Sequence, residues 1–299
     1  MIRFERTRGC FSKVCVGAKV LQMKRIVTIQ DISCLGKCSL TVALPIISAM
    51  GVEAAILPTA VLSTHTMFKN FTVCDLTGEI EPITAHWKSE GVDFDAIYTG
   101  YLGSFEQIDL MAKMFDDFRG ERTVCFVDPA MADNGKLYPA FDKAFAKKMA
   151  TLCAKADIIV PNITEACFMT DMPYRETYDE AYVKELLGKL AAFGARVCLL
   201  TGVSLEDGKT GVMGLDTSTG EYYHYEHEKL PVSFHGTGDI FSSTCIGAMM
   251  RGLDWREASR LAADYTAECI RLTMCDEKPR WYGVNFEQAI PFLVERLAK

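Results

Sequence analysis

The sequence predicts an α/β protein with a doubly wound, mostly parallel central sheet and helices on both of its faces. Short buried apolar segments alternate with longer segments of helical period along nearly the whole chain. Polar or glycine residues follow most of the apolar segments, which is where ligands collect in such sheets. A chain of 299 residues is long enough to enclose the core that this fold needs.

The elements follow in order from these patterns. The predicted strands are 26–29, 54–57, 96–99, 123–127, 157–160 and 196–200, and an edge hairpin is formed by 209–215 and 221–227. The predicted helices are 40–50, 79–90, 105–118, 137–154, 179–193, 238–251, 255–274 and 286–297. Polar loops are predicted at 30–39 and 63–66. We find no repeat and no linker, so residues 23–299 are predicted to form one domain.

Composition excludes several classes of function. A net charge of -7 argues against a nucleic-acid surface. No apolar run reaches the length of a membrane span. The 12 cysteines show no Cys-x-x-Cys pair, which is typical of buried thiols in a reducing compartment, and a cytoplasmic location is expected.

Residues 1–22 differ from the rest of the chain because they are basic and have no clear strand or helix period. We interpret them as an N-terminal extension that is disordered, or as the product of a start codon assigned upstream of Met23. A transit-like presequence is a further alternative, whereas a signal peptide would need a longer apolar core.

The segment His235-Gly236-Thr237-Gly238-Asp239 stands directly before an apolar helix. Glycines at a helix N-terminus let backbone N–H groups bind an anion. A carboxylate beside an anion site would repel the anion, unless Asp239 takes a proton from an attacking hydroxyl while the amides hold a phosphoryl group. The alternative is a Gly-Thr-Gly turn in which Asp239 is an ordinary helix cap.

Other polar or glycine residues end predicted strands or lie just after them. They are Asp31, Ser33, Thr59, Tyr101, Asp128, Asn162, Glu165, Thr201 and Gly202. The ends of parallel strands share one edge of the sheet, so these residues are expected to face one ligand site. Asn162 and Glu165 are spaced to orient the water shell of Mg²⁺, or alternatively to form a capping box without a metal. His65 lies in a loop, where a lone histidine is more often a surface hydrogen-bonding group.

From Lys24 onward the chain resembles the ribokinase superfamily, and within it the pyridoxal and pyridoxamine kinases. The matching motifs are Leu62-Ser63-Thr64-His65-Thr66, Thr99-Gly100-Tyr101-Leu102-Gly103-Ser104, Asp128-Pro129, Pro161-Asn162-x-x-Glu165 and Gly236-Thr237-Gly238-Asp239. The Gly-x-Gly-Asp and Asn-x-x-Glu motifs are shared across the superfamily. The His-Thr and Gly-Tyr-Leu-Gly-Ser segments are more specific to the pyridoxal branch.

The resemblance implies a ribokinase-like fold and an ATP- and Mg²⁺-dependent kinase of a vitamin B6 vitamer. It implies that Asp239 deprotonates the hydroxymethyl group and that the amides of residues 236–238 stabilise the transferring γ-phosphoryl group. Asp128 and Glu165 would serve the metal, and Asn162, Thr201 and Gly202 would bind the nucleotide. It further implies that the ring pocket is lined by Thr59, His65 and Tyr101. A homodimer is the implied assembly, and the need for a monovalent cation is left open.

The chain departs from this family at Asp31-Ile32, where pyridoxal kinases usually have Ser-His. Ser33 is a candidate replacement for the missing serine, and Asp31 is a candidate substrate contact. The same loop is similar to that of hydroxymethylpyrimidine kinases. The alternatives are therefore a hydroxymethylpyrimidine or sugar kinase of the same superfamily, or a non-catalytic protein that binds a vitamer.

Overall fold

The computed structural model describes residues 23–298, so the extension predicted for residues 1–22 lies outside the described part of the chain. Its strands are β1 (Arg25–Leu35), β2 (Glu53–Thr64), β3 (Val73–Asp75), β4 (Ala96–Thr99), β5 (Val124–Val127), β6 (Ala132–Asp133), β7 (Lys136–Leu137), β8 (Ile158–Ile159), β9 (Val197–Val203), β10 (Lys209–Asp216) and β11 (Glu221–Glu228). Its helices are α1 (Leu40–Ala49), α2 (Thr77–Ser89), α3 (Phe105–Phe118), α4 (Lys143–Cys153), α5 (Ile163–Thr170), α6 (Glu180–Ala191), α7 (Thr237–Met250), α8 (Trp255–Met274) and α9 (Phe286–Leu297).

The central sheet has the order β11-β10-β9-β8-β5-β4-β1-β2-β3. Its middle strands, from β9 to β2, are parallel, whereas β3 at one edge and β10–β11 at the other are antiparallel. This arrangement confirms the predicted doubly wound fold. It also brings the carboxyl ends of the parallel strands to one edge, as the sequence argument requires.

Helices cover both faces of the sheet. Helices α2 to α6 bury their apolar residues on one face, and α1, α7, α8 and α9 do so on the other. Helix α7 is buried along residues 240–248 and therefore has no solvated face there. None of the helices between residues 23 and 298 is both long and apolar enough to cross a membrane.

The first two strands extend beyond their predicted ends. The segment 30–39 was predicted as a loop, but β1 continues to Leu35 because it pairs with a β2 that itself continues to Thr64. Ser63 and Thr64 are thus strand residues rather than loop residues. The register shifts between Gln30 and Ile32, so Asp31 stands at a β-bulge, an irregularity that re-aims side chains near functional sites.

The helix predicted at 137–154 is shorter at its N-terminal end. Leu137 belongs to the small β6–β7 hairpin, and α4 begins only at Lys143. Asp142 sets this start, because its side chain accepts a 2.8 Å hydrogen bond from the backbone N–H of Phe145.

Candidate active site

Helix α7 begins at a glycine that no other residue could replace. Gly236 is the N-cap of α7 and has a left-handed φ of 84°. A Cβ atom at this position would lie 1.9 Å from the carbonyl oxygen of Lys37, in the loop between β1 and α1. Only glycine allows both this backbone angle and this close approach. The first amides of α7, at Thr237 and Gly238, are therefore free of side-chain caps and open to an anion.

Asp239 lies in the first turn of α7, where it is half-buried and lines a cavity. The pKa of its carboxyl group is raised from 3.8 to about 7, mainly by burial; a hydrogen bond from the Ser39 amide opposes this rise, and the charges of Asp128 and Asp31 add to it. No side chain caps α7, so the alternative in which Asp239 is a helix cap is wrong. A carboxylate with a pKa near neutral is suited to accept a proton.

The cavity has a volume of about 610 Å³ and runs from the start of α7 to the ends of β5, β8 and β9. Its lining includes the predicted residues Asp128, Asn162, Glu165, Thr201, Gly202, Gly236, Thr237, Gly238 and Asp239. The structure thus brings together residues that are spread over more than a hundred positions of sequence. The volume is in the range of small-molecule and cofactor sites.

Asp128 follows β5 and is buried, with its side chain held by Ser242 of α7. The hydroxyl of Ser242 donates a 2.6 Å hydrogen bond to Oδ2 of Asp128. Burial raises the pKa of this carboxyl group to about 6, and the bond from Ser242 opposes the shift. Ser242 was not predicted as a site residue, because a serine inside an apolar helical segment has no distinctive sequence signal.

Glu165 has two roles in the structure. It forms a capping box with Asn162 at the start of α5, so the capping interpretation of this pair is confirmed. One carboxylate oxygen of Glu165 also accepts a 3.0 Å hydrogen bond from the amide of Met131. Burial, and then the charge of Asp128, raise the pKa of Glu165 well above its usual range. The cap therefore holds a second carboxylate close to Asp128.

A magnesium ion fits this part of the cavity. Four carboxylates, of Asp128, Asp133, Glu165 and Asp239, line the cavity, whereas Lys229 is its one lysine or arginine among residues 23–298. A polyphosphate could approach them only with a cation. Residues 23–298 contain no cluster of three or more side chains placed to hold a metal. Mg²⁺ keeps several waters and is usually held by one or two carboxylates together with phosphate oxygens, so carboxylates such as Asp128 and Glu165 would suit it.

A second group of predicted residues surrounds the bulge in β1. The carboxylate of Asp31 accepts hydrogen bonds from the hydroxyls of Ser33, at 3.0 Å, and Ser39, at 2.6 Å. Burial raises the pKa of Asp31 above its usual range. The negative charge of Asp31 is close enough to raise the pKa of Tyr101 as well, although burial is the larger cause of its rise to about 12.

His65 is buried and fully hydrogen-bonded. Its Nδ1 accepts the amide N–H of Met67 at 3.2 Å, so Nε2 carries the proton and donates it to the carbonyl of Tyr282 at 3.1 Å. Burial lowers the pKa of the ring, which is therefore neutral near pH 7. His65 is thus a core residue, rather than the surface group that its loop position suggested.

The five residues predicted to bind the ring substrate are not among the residues that line this cavity. Asp31, Ser33, Thr59 and His65 are buried, and Tyr101 is half-buried with its ring 5.5 Å from that of Phe141. Their substrate contacts remain a prediction. Residues that the prediction missed are Ser39, Lys229, His235 and Ser242. Of these, His235 could have been found from the sequence, because it stands directly before Gly236.

Comparisons with known proteins agree with this geometry. The sequence model of the phosphomethylpyrimidine kinase family matches residues 44–280. A crystal structure of a candidate phosphomethylpyrimidine kinase from Bacteroides thetaiotaomicron is 38% identical to this chain and has a TM-score of 0.88. The match covers 93% of this chain and 96% of that one. A structure of a candidate phosphomethylpyrimidine kinase from the same organism, in an orthorhombic crystal form with pyridoxal, has a TM-score of 0.87. That match covers 91% of this chain and 96% of the other.

Two other proteins extend the comparison. The pyridoxal kinase of Lactobacillus plantarum is 28% identical with a TM-score of 0.84, over 91% of this chain and 97% of that one. The pyridoxine kinase of Bacillus subtilis is 29% identical over 61% of this chain, and the match spans 66% of that relative's length. The family match and the 38% identity confirm the resemblance drawn from the motifs. The chain therefore belongs to the phosphomethylpyrimidine kinase family of the ribokinase superfamily, and pyridoxal and pyridoxine kinases are among its relatives.

Proposed function

We propose that the protein transfers the γ-phosphoryl group of ATP to the hydroxymethyl group of a vitamin B6 vitamer. The observation that carries this proposal is the position of Asp239, which lies in the first turn of α7 on the wall of a cavity of about 610 Å³. The pKa of its carboxyl group is about 7. Support comes also from the relatives, which include pyridoxal and pyridoxine kinases.

In this reaction the hydroxymethyl oxygen of the vitamer attacks the γ-phosphorus, and the bond between that phosphorus and the bridging oxygen of ADP breaks. The proton of the hydroxymethyl group goes to Asp239. The amides of residues 236–238, at the positive end of α7, stabilise the charge on the equatorial oxygens of the transferring group. Such a transfer depends on alignment and charge neutralisation, which these residues supply without a covalent intermediate.

The nucleotide is proposed to occupy the end of the cavity near Asn162, Thr201 and Gly202. Gly202 has a φ of 69° and open space beside it, so the phosphates can approach the backbone there. Asp128 and Glu165 would hold hydrated Mg²⁺. When bound, the ion would neutralise the β- and γ-phosphates and offset the repulsion between the two carboxylates.

The ring of the vitamer is proposed to bind near Thr59, His65 and Tyr101, with Asp31 and Ser33 at the bulge. A second candidate function is supported by Asp31, which stands where pyridoxal kinases usually have serine. The hydroxymethylpyrimidine/phosphomethylpyrimidine kinase of Bacillus subtilis is 25% identical over 65% of this chain. A pyrimidine with a hydroxymethyl arm is therefore the alternative substrate.

We also propose a cytoplasmic homodimer in which residues 23–299 form the catalytic unit. The ten cysteines between residues 23 and 298 are all free thiols, as expected in a reducing compartment. Val73 on the edge strand β3 is exposed, as are Leu35 and Trp281, and we propose that such apolar side chains contact the second copy.

The test is an assay of ATP consumption with pyridoxal, pyridoxamine, pyridoxine, hydroxymethylpyrimidine and ribose. The Asp239→Asn variant, prepared in the same way, is the control for contaminating kinases. We expect a B6 vitamer to give the highest turnover. Faster turnover with hydroxymethylpyrimidine would favour the second candidate, and binding of a vitamer without ATP consumption would favour a non-catalytic role.

A further inference from the structure

His235 joins the two halves of the site. It directly precedes Gly236 and lines the same cavity as Asp239. Its ring also packs on that of His65, with the ring centroids 4.6 Å apart and the planes inclined by 43°. His235 therefore lies between the anion-binding start of α7 and the residues proposed to surround the substrate ring.

The two histidines differ in their hydrogen bonding. Both ring nitrogens of His65 are used, by the amide of Met67 and the carbonyl of Tyr282. Among residues 23–298, by contrast, no group forms a hydrogen bond with the ring of His235. Burial, and then the neighbouring His65, lower the pKa of His235 to about 4, so its ring is neutral near pH 7. It thus presents one donor and one acceptor nitrogen that no described side chain or backbone group satisfies.

A vitamer bound for transfer would bring a polar group to this ring. Its hydroxymethyl arm, on C5 of the pyridine, must reach Asp239 and the amides that follow Gly236. The substituent on C4 is the neighbour of that arm, and it is an aldehyde in pyridoxal, an aminomethyl group in pyridoxamine and a hydroxymethyl group in pyridoxine. A neutral imidazole can donate to the aldehyde oxygen or accept from the ammonium group.

On the basis of the proposed function, we propose that His235 binds the C4 substituent of the vitamer and is a specificity-determining residue. The role goes beyond that of His65, which has no free ring nitrogen. A purely structural role, in which His235 only packs against His65, makes a different prediction. It requires an aromatic ring at this position but no hydrogen-bonding nitrogen.

The test compares pyridoxal with 4-deoxypyridoxine, which has a methyl group at C4, as substrates of His235→Phe. The variant retains a ring for packing and loses both nitrogens. The quantity measured is the ratio of kcat/KM for pyridoxal to kcat/KM for 4-deoxypyridoxine within each enzyme preparation. Because the fraction of active enzyme cancels in this ratio, partial unfolding of a variant does not affect it.

We expect the ratio to fall by roughly 5- to 10-fold in His235→Phe, the effect of one lost neutral hydrogen bond. His235→Gln, whose amide has a donor and an acceptor, should recover most of the ratio. His227→Phe, which alters another histidine of the cavity wall, should leave it at the wild-type value.

An unchanged ratio in His235→Phe would overturn the inference, including one that results from an equal loss of kcat/KM for both substrates. These outcomes differ from a failure of the proposed function, in which the wild-type enzyme phosphorylates neither compound.

Discussion

The hydroxyl of Ser242 donates a 2.6 Å hydrogen bond to Oδ2 of Asp128, across 114 residues of sequence. Ser242 is one helical turn beyond Asp239 on α7, and Asp128 ends a strand of the central sheet. One short contact therefore connects the helix that carries the proposed base to a carboxylate proposed to serve the metal. Movement of α7 would change the position of both groups together.

Ser242→Ala should raise the Mg²⁺ concentration that gives half-maximal rate by roughly 10- to 100-fold, because a hydrogen bond to a charged group is lost. Turnover at saturating Mg²⁺ should change less, since Asp239 is untouched. Calorimetric titration of Mg²⁺ in the presence of ADP gives an independent measure. Ser243→Ala is the matched control, because Ser243 is equally buried on α7 but does not hydrogen-bond to Asp128. Equal effects of the two variants would contradict the role of Ser242.

Asp239→Asn should lower turnover by roughly 10²- to 10⁴-fold, which is the usual contribution of a positioned general base. The affinity for ATP should stay the same or improve, because a negative charge near the γ-phosphate is removed. Retention of most of the turnover would show that Asp239 is not the base.

The stability of the same variant is a separate prediction. The pKa of Asp239 rises from 3.8 to about 7 on folding. The free energy of unfolding therefore decreases as the pH rises through this range, because the buried group must then ionise. Asparagine has no such cost. The Tm of Asp239→Asn at pH 8 should therefore equal or exceed that of the wild type, and a clear decrease would indicate a structural role that the contacts do not reveal.

Activity should depend on pH through the same group. Asp239 accepts a proton only when it is ionised, and its pKa is about 7. The value of kcat/KM should therefore fall by about tenfold per pH unit below this pKa and reach a plateau above it. A profile that is flat between pH 5 and 8, measured with the substrate's own titration taken into account, would exclude Asp239 as the titrating base.

Glu165→Gln tests the metal side of the cavity. An amide at this position can still form part of the capping box with Asn162, so α5 and the fold should be retained. The Mg²⁺ requirement should increase, because one anionic contact to the hydrated ion is lost. A melting curve without metal and a Mg²⁺ titration of the rate distinguish the two roles. An unchanged Mg²⁺ dependence would leave Glu165 with its capping role alone.

Deletion of residues 1–22 should leave a folded and active enzyme, because the first strand within residues 23–298 begins at Arg25. Circular dichroism and turnover of a chain that starts at Met23 are the measurements. Insolubility or loss of activity of the shortened chain would show that the extension contributes to the fold.

Much of the fold and of the candidate site could be predicted from local sequence. Apolar periodicity indicated most strands and helices, since the spacing of apolar side chains along one face is set by the residues of that segment alone. Helices α3, α8 and α9 have the bounds that were predicted. The glycines before Asp239, together with Asp128 and the Asn162–Glu165 pair at the ends of strands, indicated one ligand edge, because strand ends in this fold share an edge.

The interactions that determine the chemistry depend on residues far apart in sequence, and only the tertiary structure decides them. Burial beside Asp128 and Asp31 raises the pKa of Asp239, and the packing of α7 on the sheet places Ser242 against Asp128. Pairing with β2 carries β1 past Ile29 and buries Asp31 at a bulge, although its polar sequence predicted a loop. Charge, burial and hydrogen bonding act through space over a few ångströms, whereas a sequence pattern reports only neighbours along the chain.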